Sequence, residues 1–148
     1  MRKRNYLIAG NWKMNGTLES LREVIEVDKS FNQPEIDITL CLPNTIIYPA
    51  VEKTVSTNLQ IGAQNCHEQE SYGAFTGSIN SKMLKNIGAK YVIIGHSENR
   101  QSGESNQLIN LKIKSALKSG LKIIFCIGET LNEKRKKITK KILDKQLK

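Results

Sequence analysis

Five short, nearly unbroken apolar runs recur along the chain and constrain its fold more than any other feature. They are "YLIAGNW" (Tyr6–Trp12), "ITLCLPN" (Ile38–Asn44), "LQIGAQN" (Leu59–Asn65), "YVIIGHS" (Tyr91–Ser97) and "KIIFCIGE" (Lys122–Glu129). A strand with one wet face alternates apolar and polar residues. These runs do not alternate, so they read as strands covered on both faces, as in a parallel sheet. The segments between them carry the helical period. In "TLESLREVIEVDKSF", Leu18, Leu21, Val24, Ile25 and Phe31 form one stripe, with Thr17 as N-cap. Met83, Leu84 and Ile87 are expected to face inward ahead of a stop at Gly88, and Leu108, Leu111, Ile113 and Leu117 ahead of a stop at Gly120. The tail, with Ile138, Ile142, Leu143 and Leu147 among lysines, reads as a further amphipathic segment.

Alternating strand and helix units build either an open doubly wound sheet or a closed (β/α)₈ barrel. No G-x-G-x-x-G follows the first strand, which leaves a dinucleotide fold without support. A barrel takes eight strands over typically ~250 residues. The 148 residues supply five such units, three short of closure, with the first and fifth strands expected as open edges.

Composition narrows the class further. With 39% hydrophobic and 25% charged residues the chain reads as a soluble globular domain. The basic start "MRKRNYLIAG" has too short an apolar part for a signal peptide, and a cytoplasmic protein is expected. Cys41, Cys66 and Cys126 are odd in number and far apart, which argues against a disulfide framework. A zinc site from Cys66, His67 and another cysteine lacks ligand pairs at the usual spacing, so three reduced thiols and no metal are expected. Residues 131–148 hold eight Lys/Arg against Glu133 and Asp144, most of the chain's net charge of +9. Such a run is ordinarily a solvated helix face. Arginine, the residue for bidentate phosphate and base contacts, is limited to Arg2, Arg4, Arg22, Arg100 and Arg135, and nucleic acid is not expected as a partner.

Parallel architectures collect their chemistry beyond the C-terminal strand ends. The polar residues there are Asn11 and Lys13, Asn44, Gln64 and Asn65, then His96, Ser97 and Glu98, and finally Glu129. A histidine opening a helical turn feels the positive end of the dipole, which favours the neutral ring. A neutral imidazole and a lysine at one mouth suit a small phosphorylated carbonyl compound: the cation neutralises phosphate and enolate while the imidazole polarises the carbonyl. Singly, each residue has a plainer reading, a hydrogen-bonded strand-end histidine and a solvated lysine. Ser97 lacks the G-x-S-x-G elbow of a nucleophile.

"AGNWKMN" (Ala9–Asn15), "GAQN" (Gly62–Asn65), "GAFTG" (Gly73–Gly77), "YVIIGHSE" (Tyr91–Glu98) and "CIGETL" (Cys126–Leu131) resemble, in order and spacing, segments of the triosephosphate isomerase family. The resemblance implies a parallel barrel of the TIM type, here one incomplete domain over residues 1–148 with about five βα units. It implies an isomerase interconverting dihydroxyacetone phosphate and glyceraldehyde 3-phosphate through an enediolate, without metal or organic cofactor, and a homodimer. Asn11 and Lys13 would touch the substrate, His96 would polarise the carbonyl, and Glu98 would support the lysine and histidine. Thr76 and Asn65 would lie at the subunit interface. The neutral histidine is itself a known property of this family and is carried over from it.

Two departures accompany the resemblance. The family's base is a glutamate in a lid segment like Y-E-P-V-W-A-I-G-T-G, and residues 1–148 contain none; Glu129 and Glu133 follow the wrong strand to replace it. Ser78 and Asn99 stand where the family usually carries a glutamate and an arginine that pair near the subunit contact. Losing both together leaves no unpaired charge. An alternative function is therefore a non-catalytic fragment whose basic tail binds an acidic partner.

Overall fold

Strand β1 (Tyr6–Asn11) leads through a short 3₁₀ turn (Leu18–Ser20) into helix α1 (Leu21–Ser30). The alternation continues with β2 (Ile36–Leu42), α2 (Asn44–Lys53), β3 (Leu59–Ala63), α3 (Ser81–Asn86) and β4 (Tyr91–Ile94). After β4 come α4 (Ser97–Gln101) and α5 (Asn106–Lys118), then β5 (Lys122–Phe125), α6 (Leu131–Arg135) and α7 (Thr139–Gln146). The computed structural model describes residues 6–31, 35–54 and 58–148; Arg2 and Arg4 of the basic start lie outside them. Among the described residues no helix is long and apolar enough to cross a membrane.

All five strands run parallel, in the order β1-β2-β3-β4-β5. A doubly wound sheet reverses its strand order at a switch point. This sheet never reverses, so its crossovers stay on one side and it curls as an arc of a TIM-type barrel. The helices cover the outer face, where Leu40 and Leu42 of β2, Ile61 of β3, and Val92 and Ile94 of β4 meet Val24, Ile46, Ile47, Leu84 and Ile109. The alternate residues point to the concave side. Thr39, Cys41 and Ile93 are buried there, and Gly62 is small because a Cβ would come within 2.8 Å of the Cys41 Sγ. Near the N-terminal end of that side, Lys122 Nζ donates to the Tyr91 hydroxyl at 3.2 Å and stands 3.9 Å from Asp37 Oδ2.

Several sequence expectations need correction. Strand β1 is not covered on both faces: Tyr6, Leu7 and Ile8 are 80%, 42% and 52% exposed, because among the described residues no element other than its edge neighbour β2 packs extensively against it. Leu18 and Phe31 fall outside α1 and are exposed, while Asp28 joins Leu21 and Val24 on its buried face. Met83 is exposed. In α5 the buried residues are Ile109, Lys112, Ser115 and Ala116, and Leu111 and Leu117 face outward. Hydropathy misjudges this face because its polar members satisfy one another. Ser81 of α3 meets the Ser115 and Ser119 hydroxyls at 2.9 and 2.8 Å, and Lys112 donates to Asn65 Oδ1 at 3.1 Å. The tail is two helices rather than one. A Thr130–Glu133 capping box starts α6, and Lys137 at φ 56° breaks the chain before α7. Ile138, Ile142 and Leu143 are half-buried, and Leu147 is exposed. Gly88 and Gly120 adopt the positive φ of the expected helix stops.

An apolar strand edge with free N–H and C=O groups templates pairing with another chain. The 148-residue chain is therefore expected to run as a dimer or larger species in size-exclusion light scattering, and Ile8→Lys, which charges the open edge, to raise the monomer fraction. A stable monomer with cooperative unfolding in the unaltered chain contradicts this.

Candidate active site

The loop after β1 is held in an uncommon shape. Lys13 has φ 53°, a left-handed conformation that costs a residue with a Cβ ~1–2 kcal/mol. Its N–H donates to Asn11 Oδ1 at 2.9 Å, and its carbonyl accepts from Gln64 Nε2 at 2.8 Å. The same Gln64 nitrogen reaches the Cys41 carbonyl at 3.1 Å, which ties the loop to the end of β2. This turn directs the Lys13 ammonium across the strand ends to Glu98 Oε1, 2.7 Å away.

The other side is built by the end of β4. Gly95 has φ 76°, and a Cβ there would meet the Arg100 guanidinium at 2.9 Å and the Cys126 carbonyl at 3.0 Å. Arg100 donates to the Gly95 carbonyl through Nε at 2.7 Å, to the Cys126 carbonyl at 3.1 Å, and to Asn106 Oδ1 at 2.8 Å. One guanidinium thus joins the ends of β4 and β5 to the start of α5. His96 caps α4, its Nδ1 accepting the Glu98 N–H at 3.3 Å. A nitrogen that accepts carries no proton, so in the neutral ring the proton sits on Nε2. Nδ1 also lies 3.4 Å from Glu98 Oε2, a contact that becomes an ion pair only with a protonated ring and that excludes the backbone bond. The hydrogen bond from Lys13 holds the Glu98 carboxyl below the usual carboxylate range, against a small opposing effect of burial.

These groups line a cleft of about 290 Å³ that includes Asn11, Lys13, Gln64, Asn65, His96 and Glu98. A second cleft of about 650 Å³ adjoins it through His96 and continues past Arg100, Cys126 and Glu129. Asn11, Lys13, His96 and Glu98 are therefore brought together. Asn65 lines the same cleft, yet its amide is also spent on Glu104 and Lys112, which form a largely buried ion pair. Thr76 is not in the cleft; it lies in an exposed loop beyond β3, as does Ser78, while Asn99 sits on the cleft rim. Glu129 accepts from the Thr139 hydroxyl at 3.2 Å. Cys66 and His67 go separate ways. Burial pushes the Cys66 thiol up to about 11, and the His67 ring packs on Phe75 while Nδ1 accepts from the Gln69 N–H. Sequence reasoning misses Arg100, Glu104 and Lys112 as site residues, although Arg100 lies only two positions beyond the G-H-S-E segment. Chemically, the cleft offers a cation, an imidazole N–H donor and amide groups, which suits an oxygen-rich anion whose carbonyl gains negative charge.

The family model described as Triosephosphate isomerase matches residues 6–148. Triosephosphate isomerase of Alkaliphilus oremlandii (strain OhILAs) is 44% identical over 146 residues, covering 97% of this chain and 58% of that protein. The Aquifex aeolicus (strain VF5) protein of the same name is 43% identical over 145 residues, covering 96% of this chain and 58% of its own length. The crystal structure of triosephosphate isomerase from Bartonella henselae superposes with a TM-score of 0.88 at 40% identity, over 97% of this chain and 60% of that one. The chain thus spans about 58% of the length of these curated relatives.

Two outcomes follow from the geometry. Gly95→Ala forces a Cβ against Arg100 and the Cys126 carbonyl at positive φ, and is expected to destabilise the fold by about 1–3 kcal/mol in denaturant unfolding. The lowered Glu98 carboxyl means that the Lys13 pair persists above the ordinary carboxylate value and is lost only as pH falls through the lower folded value. Carbon-detected NMR should place the Glu98 midpoint below that of an unperturbed glutamate, and Lys13→Met should return it toward the unperturbed position. An unchanged midpoint in Lys13→Met removes the assigned cause.

Proposed function

Because this chain belongs to the triosephosphate isomerase family, we propose that its cleft is the substrate-binding and carbonyl-polarising part of an isomerase site for dihydroxyacetone phosphate and glyceraldehyde 3-phosphate. The observation that carries this reading is the convergence of Lys13, Glu98 and His96 from the ends of β1 and β4, the ion-paired partners lying 85 positions apart in sequence. An incoming phosphorylated triose competes with Glu98 for the Lys13 ammonium, and Asn11 holds a second substrate oxygen. The His96 Nε2–H donates to the carbonyl oxygen, so negative charge developing there meets a fixed donor. The Glu98 N–H keeps Nδ1 an acceptor and thereby fixes which nitrogen carries the proton. When the ring passes that proton between the adjacent substrate oxygens, an enediolate connects the two trioses.

Abstraction of the carbon-bound proton requires a carboxylate free to act. Glu98 is assigned to the support of Lys13 and His96, Glu129 is engaged by Thr139, and no lid segment of the family's kind occurs in residues 1–148. On this reading residues 1–148 supply binding and polarisation, and the base is not among them. As in the family, a homodimer is the assembly proposed, with Thr76 in its exposed loop at the contact and Asn65 behind it. The exposed cations of α6 and α7 favour a second, non-catalytic role for that surface.

A coupled assay tests the catalytic reading. The 148-residue chain alone is expected to fall below an ordinary isomerase by at least ~10²–10⁴-fold, the usual contribution of a general base. Mixing it with the complementary C-terminal portion of a relative is expected to restore turnover, and Lys13→Met or His96→Gln to abolish the restored activity. Full turnover by the chain alone, or restored turnover indifferent to both substitutions, overturns the proposal.

A further inference from the structure

The positive charge of residues 131–148 has a definite placement. All eight of its Lys/Arg side chains are exposed, and among the described residues none forms an ion pair. Part of this surface borders a groove of about 830 Å³ between α5 and α7, a size within the ~300–1,000 Å³ of ordinary ligand sites. Lys114, Lys145 and Lys148 supply its charge, Gln107 and Asn110 supply amides without a hydrogen-bond partner among the described residues, and Leu111 supplies a half-exposed apolar patch. Glu104 is the lone carboxylate side chain of the lining, and Lys112 already pairs with it.

We propose that the α5–α7 groove docks an acidic segment of polypeptide that carries an apolar side chain. Its carboxylates would meet the three lysines, its backbone would take the Gln107 and Asn110 amides, and its apolar side chain would cover Leu111. Charge complementarity selects the sign of the partner, and the lining selects its class. A nucleic-acid backbone offers nothing to Leu111, and residues 131–148 contain no aromatic side chain to stack a base and only one arginine. A membrane surface requires a helix with its apolar face outward, whereas Ile142 and Leu143 of α7 are half-buried against the body of the protein. Lysine ammonium groups that read no fixed geometry suit a flexible chain of carboxylates.

The test is fluorescence anisotropy of the 148-residue chain with a short labelled peptide of glutamates around one leucine. Saturable binding is expected, weakening at least tenfold as ionic strength rises from about 0.05 to about 0.5 M, which shortens the screening length about threefold. A peptide with serine in place of the leucine should bind several-fold more weakly, a comparison that needs no variant. Lys114→Gln with Lys145→Gln should weaken both peptides about tenfold, and Leu111→Ser should weaken only the leucine peptide, since exposed ion pairs and an exposed apolar contact are separable. Absence of binding, equal affinity for the two peptides, or tighter binding to a DNA duplex or phosphatidylserine vesicles overturns the proposal.

Discussion

Every strand of this sheet runs in the same direction and pairs with its neighbour in sequence, so all five C-terminal ends meet at one rim. That geometric fact organises the molecule. It sends each crossover helix to the outer face, where the main apolar core forms, and leaves the concave face to smaller groups such as Thr39, Cys41 and Gly62. It also brings polar residues from separate strand–helix units within reach of one another across the cleft. A Lys13–Glu98 pair is possible only because β1 and β4 lie on one curled sheet.

The rim is stiffened by groups that have no place in a hydrophobic core. Arg100 uses its guanidinium to hold the ends of β4 and β5 together, and the cost of partly burying it is offset by three hydrogen bonds and the Phe125 ring 6.0 Å away. Behind Asn65, the Glu104–Lys112 pair anchors α5. Removing one partner of such a buried pair typically costs ~3–5 kcal/mol, because the other charge is left stranded. Asn65 therefore belongs both to the cleft wall and to the scaffold. The left-handed turn at Lys13 follows the same logic: a locally unfavourable backbone is held by Asn11 and Gln64, and the return is a lysine aimed at the cleft.

The unbroken apolar runs and the glycine stops at Gly88 and Gly120 were legible because they depend on neighbours in sequence. So were the family segments, since strand-end chemistry is written in short contiguous stretches. Less legible was which helix face turns inward. Leu111 and Leu117 look like core and are exposed, whereas Lys112 and Ser115 look like surface and are buried. Their burial depends on Glu104, Asn65 and Ser81, none of them local to the α5 pattern. Strand β1 misled for the complementary reason. Its apolar side chains promise cover on both faces, but cover is supplied by other elements, and only β2 pairs with it here.

By itself, then, the sequence determined the alternation of strand and helix, the family, and which chemical groups stand at each strand end. These are properties of the 3.6- and 2-residue periods and of short motifs. Tertiary structure alone decided that the Lys13 ammonium rests on Glu98, that Arg100 rather than an apolar side chain ties the ends of β4 and β5, and that a basic groove opens between α5 and α7. Each of those outcomes is a meeting of groups distant in sequence. Its existence depends on the curl and register of the sheet, which local pattern does not encode.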